Sequence, residues 1–166
     1  MRASVRTLSA IIAAIALLVA LSAGSAIAAG GRTITVAMTG DQEVPGPGDP
    51  NATGTATITL NPGLGMVCYS LSWANASGED TDSTNDAVWG GHIHAGAAGT
   101  AGGIFIHLFG GPPASANTSF GTTDSTSGCV SADRADIVAV IGNPAGYYVN
   151  IHSGEYPGGI IRGQLG

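Results

Sequence analysis

Two segments carry side chains with chemistry to offer. His92-Ile93-His94 places two imidazoles at i and i+2, and Tyr148-Val149-Asn150-Ile151-His152 adds a third. Side chains in a strand alternate between faces, so His92 and His94 project the same way with Cβ atoms about 6.5 to 7 Å apart, and Tyr148, Asn150 and His152 share one face of theirs. Neutral imidazoles at that spacing can converge on one Zn or Cu ion, with His152 as the leading third ligand. His107, which shares its face with Phe105 and Phe109, is the fourth candidate. The competing expectation is that His92, His94 and His152 hydrogen-bond across strands or to the turn around Gly96 and fix loop geometry without metal. It is the preferred one here, because buried polar groups are usually satisfied by hydrogen bonds. No cofactor is therefore required, and Cu or Zn is the alternative.

Other chemistries fare less well. Ser153 follows His152 directly, and adjacent strand residues face opposite ways, which is wrong for a nucleophile and its base. The Gly-rich stretch 96–103 lacks the Lys and following helix of a phosphate loop. The acidic run Glu79-Asp80-Thr81-Asp82-Ser83-Thr84-Asn85-Asp86 lacks the Gly of a calcium-binding EF-hand turn and reads as a solvated loop. Glu43 and Arg162 form a separate pair. If the first and last strands adjoin, carboxylate and guanidinium are expected to meet in a bidentate ion pair that pins the Pro-rich loop.

The elements that position these residues read as strands. Short runs rich in Thr, Ile, Val and Tyr alternate with period 2 between Gly, Pro, Asn and Asp clusters. Ile34, Val36 and Met38 alternate with Thr33, Thr35, Ala37 and Thr39 up to Gly40; residues 43–51 form a loop with three Pro; residues 53–60 resume the alternation. Asn61-Pro62-Gly63 turns the chain into a hairpin partner in which Val67, Tyr69, Leu71 and Trp73 share a face and Cys68 points away from them. Residues 87–95, 104–109, 147–153 and 160–165 supply four more strands. Residues 131–141 are the one helix candidate, with Ser131 as N-cap, Asp133 in the first turn and Ile137, Val140 and Ile141 as its apolar stripe. Seven or so short antiparallel strands, one helix and a disulfide predict an all-β fold, an immunoglobulin-like or superoxide-dismutase-like antiparallel β-sandwich.

The chain opens with Arg2 and Arg6, an apolar run at 8–21 and Ala26-Ile27-Ala28, the pattern of a cleaved signal peptide over residues 1–28. The apolar run is shorter than the roughly 20 residues of a membrane span and lacks a charged stop, so no membrane anchor is expected. Cleavage near Ala28 predicts a secreted, extracellular or periplasmic product. Residues 29–166, 138 in number (166 less 28), suit a single domain. With no Lys, three Arg and eleven acids, that segment carries a charge of −8, so nucleic acid and anionic membranes are poor partners. An extracellular protein or glycan is the expected class. Cys68 and Cys129, the only two Cys, predict a disulfide that stabilises the fold by roughly 4 to 5 kcal/mol, less any native strain. Asn51-Ala52-Thr53, Asn75-Ala76-Ser77 and Asn117-Thr118-Ser119 match glycosylation acceptors, which matters only in a eukaryotic secretory pathway.

Taken in order, Thr39-Gly40-Asp41-Gln42-Glu43-Val44-Pro45, His92-Ile93-His94-Ala95-Gly96 with Gly99, Gly102 and Gly103, Asn143-Pro144 leading into Tyr148 to His152, and Pro157-Gly158-Gly159 with Ile161-Arg162-Gly163-Gln164-Leu165 resemble a CHRD domain. That family is named after chordin, an extracellular antagonist of bone morphogenetic proteins, and includes many small exported bacterial proteins. The resemblance implies an immunoglobulin-like β-barrel distantly similar to copper-zinc superoxide dismutases, and no established activity. His107 departs from the family pattern, where an apolar residue is usual. A two-ion dismutase site needs about six His and an Asp, and the chain has four His. A copper-only site would use His92, His94 and His152, with His107 beside them and Arg162 attracting superoxide, against the repulsion of a −8 chain. The expectation drawn is an exported, non-catalytic binding or structural module. Its alternative is a Cu or Zn protein with dismutase-like redox activity.

Overall fold

A computed structural model describes residues 31–77, 88–110, 120 and 123–166. The expected signal peptide over residues 1–28, the acidic run 79–86 and the acceptor motif at Asn117 lie outside the described residues.

The described strands are β1 (Arg32–Thr39), β2 (Thr53–Asn61), β3 (Met66–Ala74), β4 (Gly90–Ala95), β5 (Ile104–Gly110), β6 (Asp124–Ser131), β7 (Tyr147–His152) and β8 (Ile161–Gln164). All eight join one antiparallel sheet in the order β5-β4-β7-β8-β1-β2-β3-β6. A two-sheet sandwich was the expectation; the hydrogen bonding instead runs unbroken from β5 to β6. The sheet curls until these two edge strands approach each other, so its shape is nearly that of a barrel. The reason lies at the β8–β1 seam. Four-residue β8 bonds β7 along its length and meets β1 at Thr39↔Arg162, which links two four-stranded halves.

Period-2 alternation decides what each face does. Ile34, Met38, Ala56, Ile58, Leu60 and Leu71 point inward from β1 to β3, and Ile93, Val149, Ile151 and Ile161 point inward from the other half, forming one apolar core. The outer faces differ. On β1 and β2 the outward Thr residues are exposed or half-exposed and pair their hydroxyls, Thr33 with Thr59 and Thr35 with Thr57, each at 3.0 Å. On β4, β7 and β8 the outward residues are His92, His94, Tyr148, Asn150, His152 and Arg162, and all are buried. Loops 43–49, 96–103 and 153–159 cover them, so this half has a second, polar interior.

Helix α1 (Arg134–Gly142) buries Ile137 and Val140 and packs against β2 and β3. It begins later than expected. Ser131 is the last residue of β6, and Asp133 takes the N-cap position without a side-chain cap bond. β6 itself was not predicted, and it carries Cys129. The disulfide joins Cys68 and Cys129, directly opposed residues of β3 and β6, as predicted from the Cys count. No helix among the described residues is long and apolar enough to cross a membrane.

Candidate metal centre

Strand register assembles the site in rows. His92 pairs with His107 on β5 and with Asn150 on β7, and Asn150 pairs with Arg162 on β8. The next row is His94, Tyr148 and Gln164; the previous one pairs Gly90 with His152. Register shifts on either side of His92 and Ile93, irregularities of the kind that re-aim side chains, let β5 bring His107 beside His92. Gly91 suits this approach, because a Cβ there would sit 2.4 Å from the Phe109 ring and push it aside.

The sequence-predicted trio comes together. One nitrogen from each of His92, His94 and His152 lies within 4.8 Å of the others, and the residues are 1, 7 and 5 % exposed. Ring centroids are 5.0 Å apart for His92 and His152, 5.6 Å for His92 and His94, and 5.8 Å for His94 and His152. His107 stands outside this trio. Its side chain is exposed, and its ring meets the His92 ring edge-on at 4.8 Å.

The hydrogen bonds fix the tautomers. His94 Nδ1 is 2.9 Å from the Gly102 carbonyl, and His152 Nδ1 is 3.1 Å from the Pro157 carbonyl. A carbonyl only accepts, so each Nδ1 carries the proton and each Nε2 presents a lone pair. Neither Nε2 has a partner, and neither nitrogen of His92 has one. The expectation that hydrogen bonds would satisfy these imidazoles is thus met at the two Nδ1 atoms and fails at the nitrogens that face one another. Backbone carbonyls that orient an imidazole while its other nitrogen stays bare are the usual outer support of metal-binding His.

Loop 96–103 is shaped for this task. A Cβ on Gly102 would lie 1.6 Å from the Ala95 carbonyl oxygen, so only glycine lets the loop fold back close enough to bring Gly102 O to His94. The Gly102 N–H also donates to the Tyr148 hydroxyl at 3.3 Å. Tyr148 stacks on His94 at 4.9 Å, and Trp89 stacks on His152 at 5.3 Å. Sequence reading did not single out Trp89, which lies just before β4. Alternation alone put Tyr148 and Asn150 on the site face, without indicating that loops would bury them.

Arg162 and Glu43 do not form the expected bidentate pair. Arg162 donates to the carbonyls of Thr100 and Ala97 and to Gln164 Oε1, each at 2.9 Å, and its guanidinium carbon lies 3.4 Å over the Tyr148 ring. The fork is spent on loop 96–103. Glu43 is buried with its Oε1 unpartnered, wedged where a Cβ on Gly159 would come within 2.1 Å. Burial pushes its carboxyl up to about 7, against the opposing pulls of the neighbouring Asn150 amide, the Arg162 charge and the Val44 N–H.

Burial acts oppositely on the imidazoles. It pushes His92 down to about 3, helped by the fields of His152, His107 and His94; it pushes His152 down to about 4, helped by His94 and opposed by the Pro157 carbonyl. His94 is also lowered, chiefly by burial. The sign of the stability change follows. Between pH 6.5 and 4.5 the unfolded chain holds protons on His92 and His152 that the native state does not, while native Glu43 holds one that the unfolded chain releases. The difference is one proton in favour of the unfolded state, so the metal-free domain should lose about 1.4 kcal/mol per pH unit on acidification, roughly 3 kcal/mol across the window. His94 adds in the same sense. Glu43→Gln removes the opposing proton and should about double the slope. Urea unfolding at several pH values in a chelator tests this, and a flat or inverted wild-type profile would contradict it.

Three imidazoles are the donor type a transition-metal ion takes, although they stand wider apart than bonding requires. Bonds of about 2.0 to 2.1 Å hold tetrahedral donor nitrogens about 3.3 to 3.5 Å apart, so closure asks for about 1 Å of movement at the imidazole tips. Outward alternation, loop cover and carbonyl-oriented His on a curled antiparallel sheet define a β-domain with a His-lined polar interior. Residues 34–165 match the family model of the CHRD domain, and the chain belongs to that family. No match was found among curated proteins or among solved structures.

Proposed function

We propose that this CHRD domain is an exported, non-catalytic binding module whose own ligand is a single Cu or Zn ion held by Nε2 of His94, Nε2 of His152 and one nitrogen of His92. The observation that carries this reading is the group of four buried imidazole nitrogens without partners, two of them on rings whose other nitrogen a backbone carbonyl has fixed. A buried polar atom left unpaired costs about 1 to 3 kcal/mol, so several in one place favour an absent ligand over an empty structural cluster. When bound, the ion would supply charge and a coordination centre. The protein supplies orientation, through Gly102 and Pro157, and exclusion of water, through the three loops.

Export rests on the leader pattern of residues 1–28 and is supported by the disulfide. We read the curled sheet as a form of the immunoglobulin-like β-barrel that the family resemblance implies. An extracellular protein or glycan partner remains part of the proposal, with the acidic, Lys-free surface disfavouring nucleic acid.

Native mass spectrometry of the oxidised domain with Cu(II) or Zn(II) tests the site. One ion per chain is expected, with a loss of 100-fold or more in affinity in His94→Ala. Absence of a stoichiometric adduct at micromolar metal would reject the reading and leave the partner-binding role alone.

A further inference from the structure

Three protein donors leave a four-coordinate ion with one open position. The residue paired in register with His92 on this face is Asn150, which has Arg162 on its other side. It is 1 % exposed, and its amide neighbours the Glu43 carboxyl and the His94 ring, but neither amide atom has a partner at full hydrogen-bond geometry. An amide so deeply buried is expected to be fully satisfied, and this one is held only loosely by those two neighbours. Taking the proposed metal site as given, we propose that its fourth position accepts a small inorganic anion, with the Asn150 amide N–H as hydrogen-bond donor to it.

Charge balance selects the class of ligand. The three protein donors are neutral imidazoles, and the next residue in the row is the buried Arg162 guanidinium. Even with the neighbouring Glu43 ionised, a divalent ion placed beside that cation leaves an excess of positive charge in a region of low dielectric, which an anion relieves and a neutral molecule does not. Size is limited by the walls. The His rings stand within 5.8 Å of one another, Tyr148 backs His94, and Trp89 backs His152, which excludes a ligand of more than a few atoms. Glu43, whose carboxyl also neighbours Asn150, is the competitor for the same amide.

The test uses the oxidised domain loaded with Cu(II), its copper content measured by elemental analysis, and azide as the probe. Azide titration followed by its charge-transfer absorption and by electron paramagnetic resonance should show one saturable transition. Asn150→Ala should weaken azide binding about tenfold or more at unchanged copper content, since a hydrogen bond to a charged partner is lost. Asn150→Asp keeps the shape but replaces the donor with a negative charge, and should abolish azide binding. Glu43→Gln should tighten it. One copper per chain with no azide transition, or azide affinity indifferent to both Asn150 variants, would overturn the anion proposal while leaving the metal site standing. Absence of copper binding would overturn both.

Discussion

Replacing Arg162 with Met is expected to lower the stability of the domain by about 2 to 4 kcal/mol, from the loss of three hydrogen bonds to a charged donor at roughly 1 to 3 kcal/mol each less the recovered cost of burying the guanidinium. The methionine fills the stem but donates nothing. The part-buried carbonyls of Thr100 and Ala97 and the amide oxygen of Gln164 then lose their donor, which is costly wherever water does not replace it. Some of the loss is offset because the guanidinium itself no longer has to be buried. Arg162→Lys should rescue little, because an ammonium is a point charge that cannot span three acceptors as the planar fork does. Loop 96–103 should loosen with it. That loop also carries Gly102, so metal affinity should fall although Arg162 belongs to no donor set. Equilibrium unfolding gives the stability, and amide exchange at Ala97 to Gly103 gives the loop. A variant with an unchanged unfolding midpoint and unchanged exchange would show that the loop is held by its own glycine turns.

The difference between what the sequence conveys and what it conceals is clear at this arginine. Alternation in β4, β7 and β8 is written plainly, and it places His92, His94 and His152 on one face without further information. Whether that face meets solvent is not written in any strand. On β1 and β2 the same alternation yields exposed threonines, and only the return of loops 43–49, 96–103 and 153–159 makes the other outer face an interior. Local pairing logic brought Glu43 and Arg162 together because the first and last strands adjoin. The guanidinium's nearer acceptors are carbonyls of a loop more than sixty residues away in sequence, a contact that periodicity does not encode. β6 was missed for a different reason. Asp124-Ser125-Thr126-Ser127-Gly128-Cys129-Val130-Ser131 has a single large apolar residue, so its period-2 signal is nearly silent, and Ser131 was free to pass for a helix cap.

That silence has an energetic counterpart, because a strand with so little apolar surface needs another source of stability. None of its residues is fully buried, and its inward positions Thr126, Gly128 and Val130 are only half covered. Among the described strands it pairs with β3, and it forms one lip of the nearly closed barrel. The covalent link from Cys129 to Cys68 holds it there. Closing a loop across a sequence separation of 61 removes unfolded-state entropy worth about 4 kcal/mol on the chain-entropy model. Replacing both cysteines with Ala should therefore cost on that order in global stability, read from urea midpoints under non-reducing conditions. The local consequence should exceed the global one. β6 amides facing β3 should exchange by local opening, while those of β4 and β7 at the His cluster continue to exchange only with the whole domain. Stoichiometry of the proposed metal ion should survive, because its proposed donors lie on β4 and β7, and β3 and β6 supply none. A double variant that lost its metal with its disulfide would mean that the two halves of the sheet are energetically one unit, with the site depending on the far lip of the barrel.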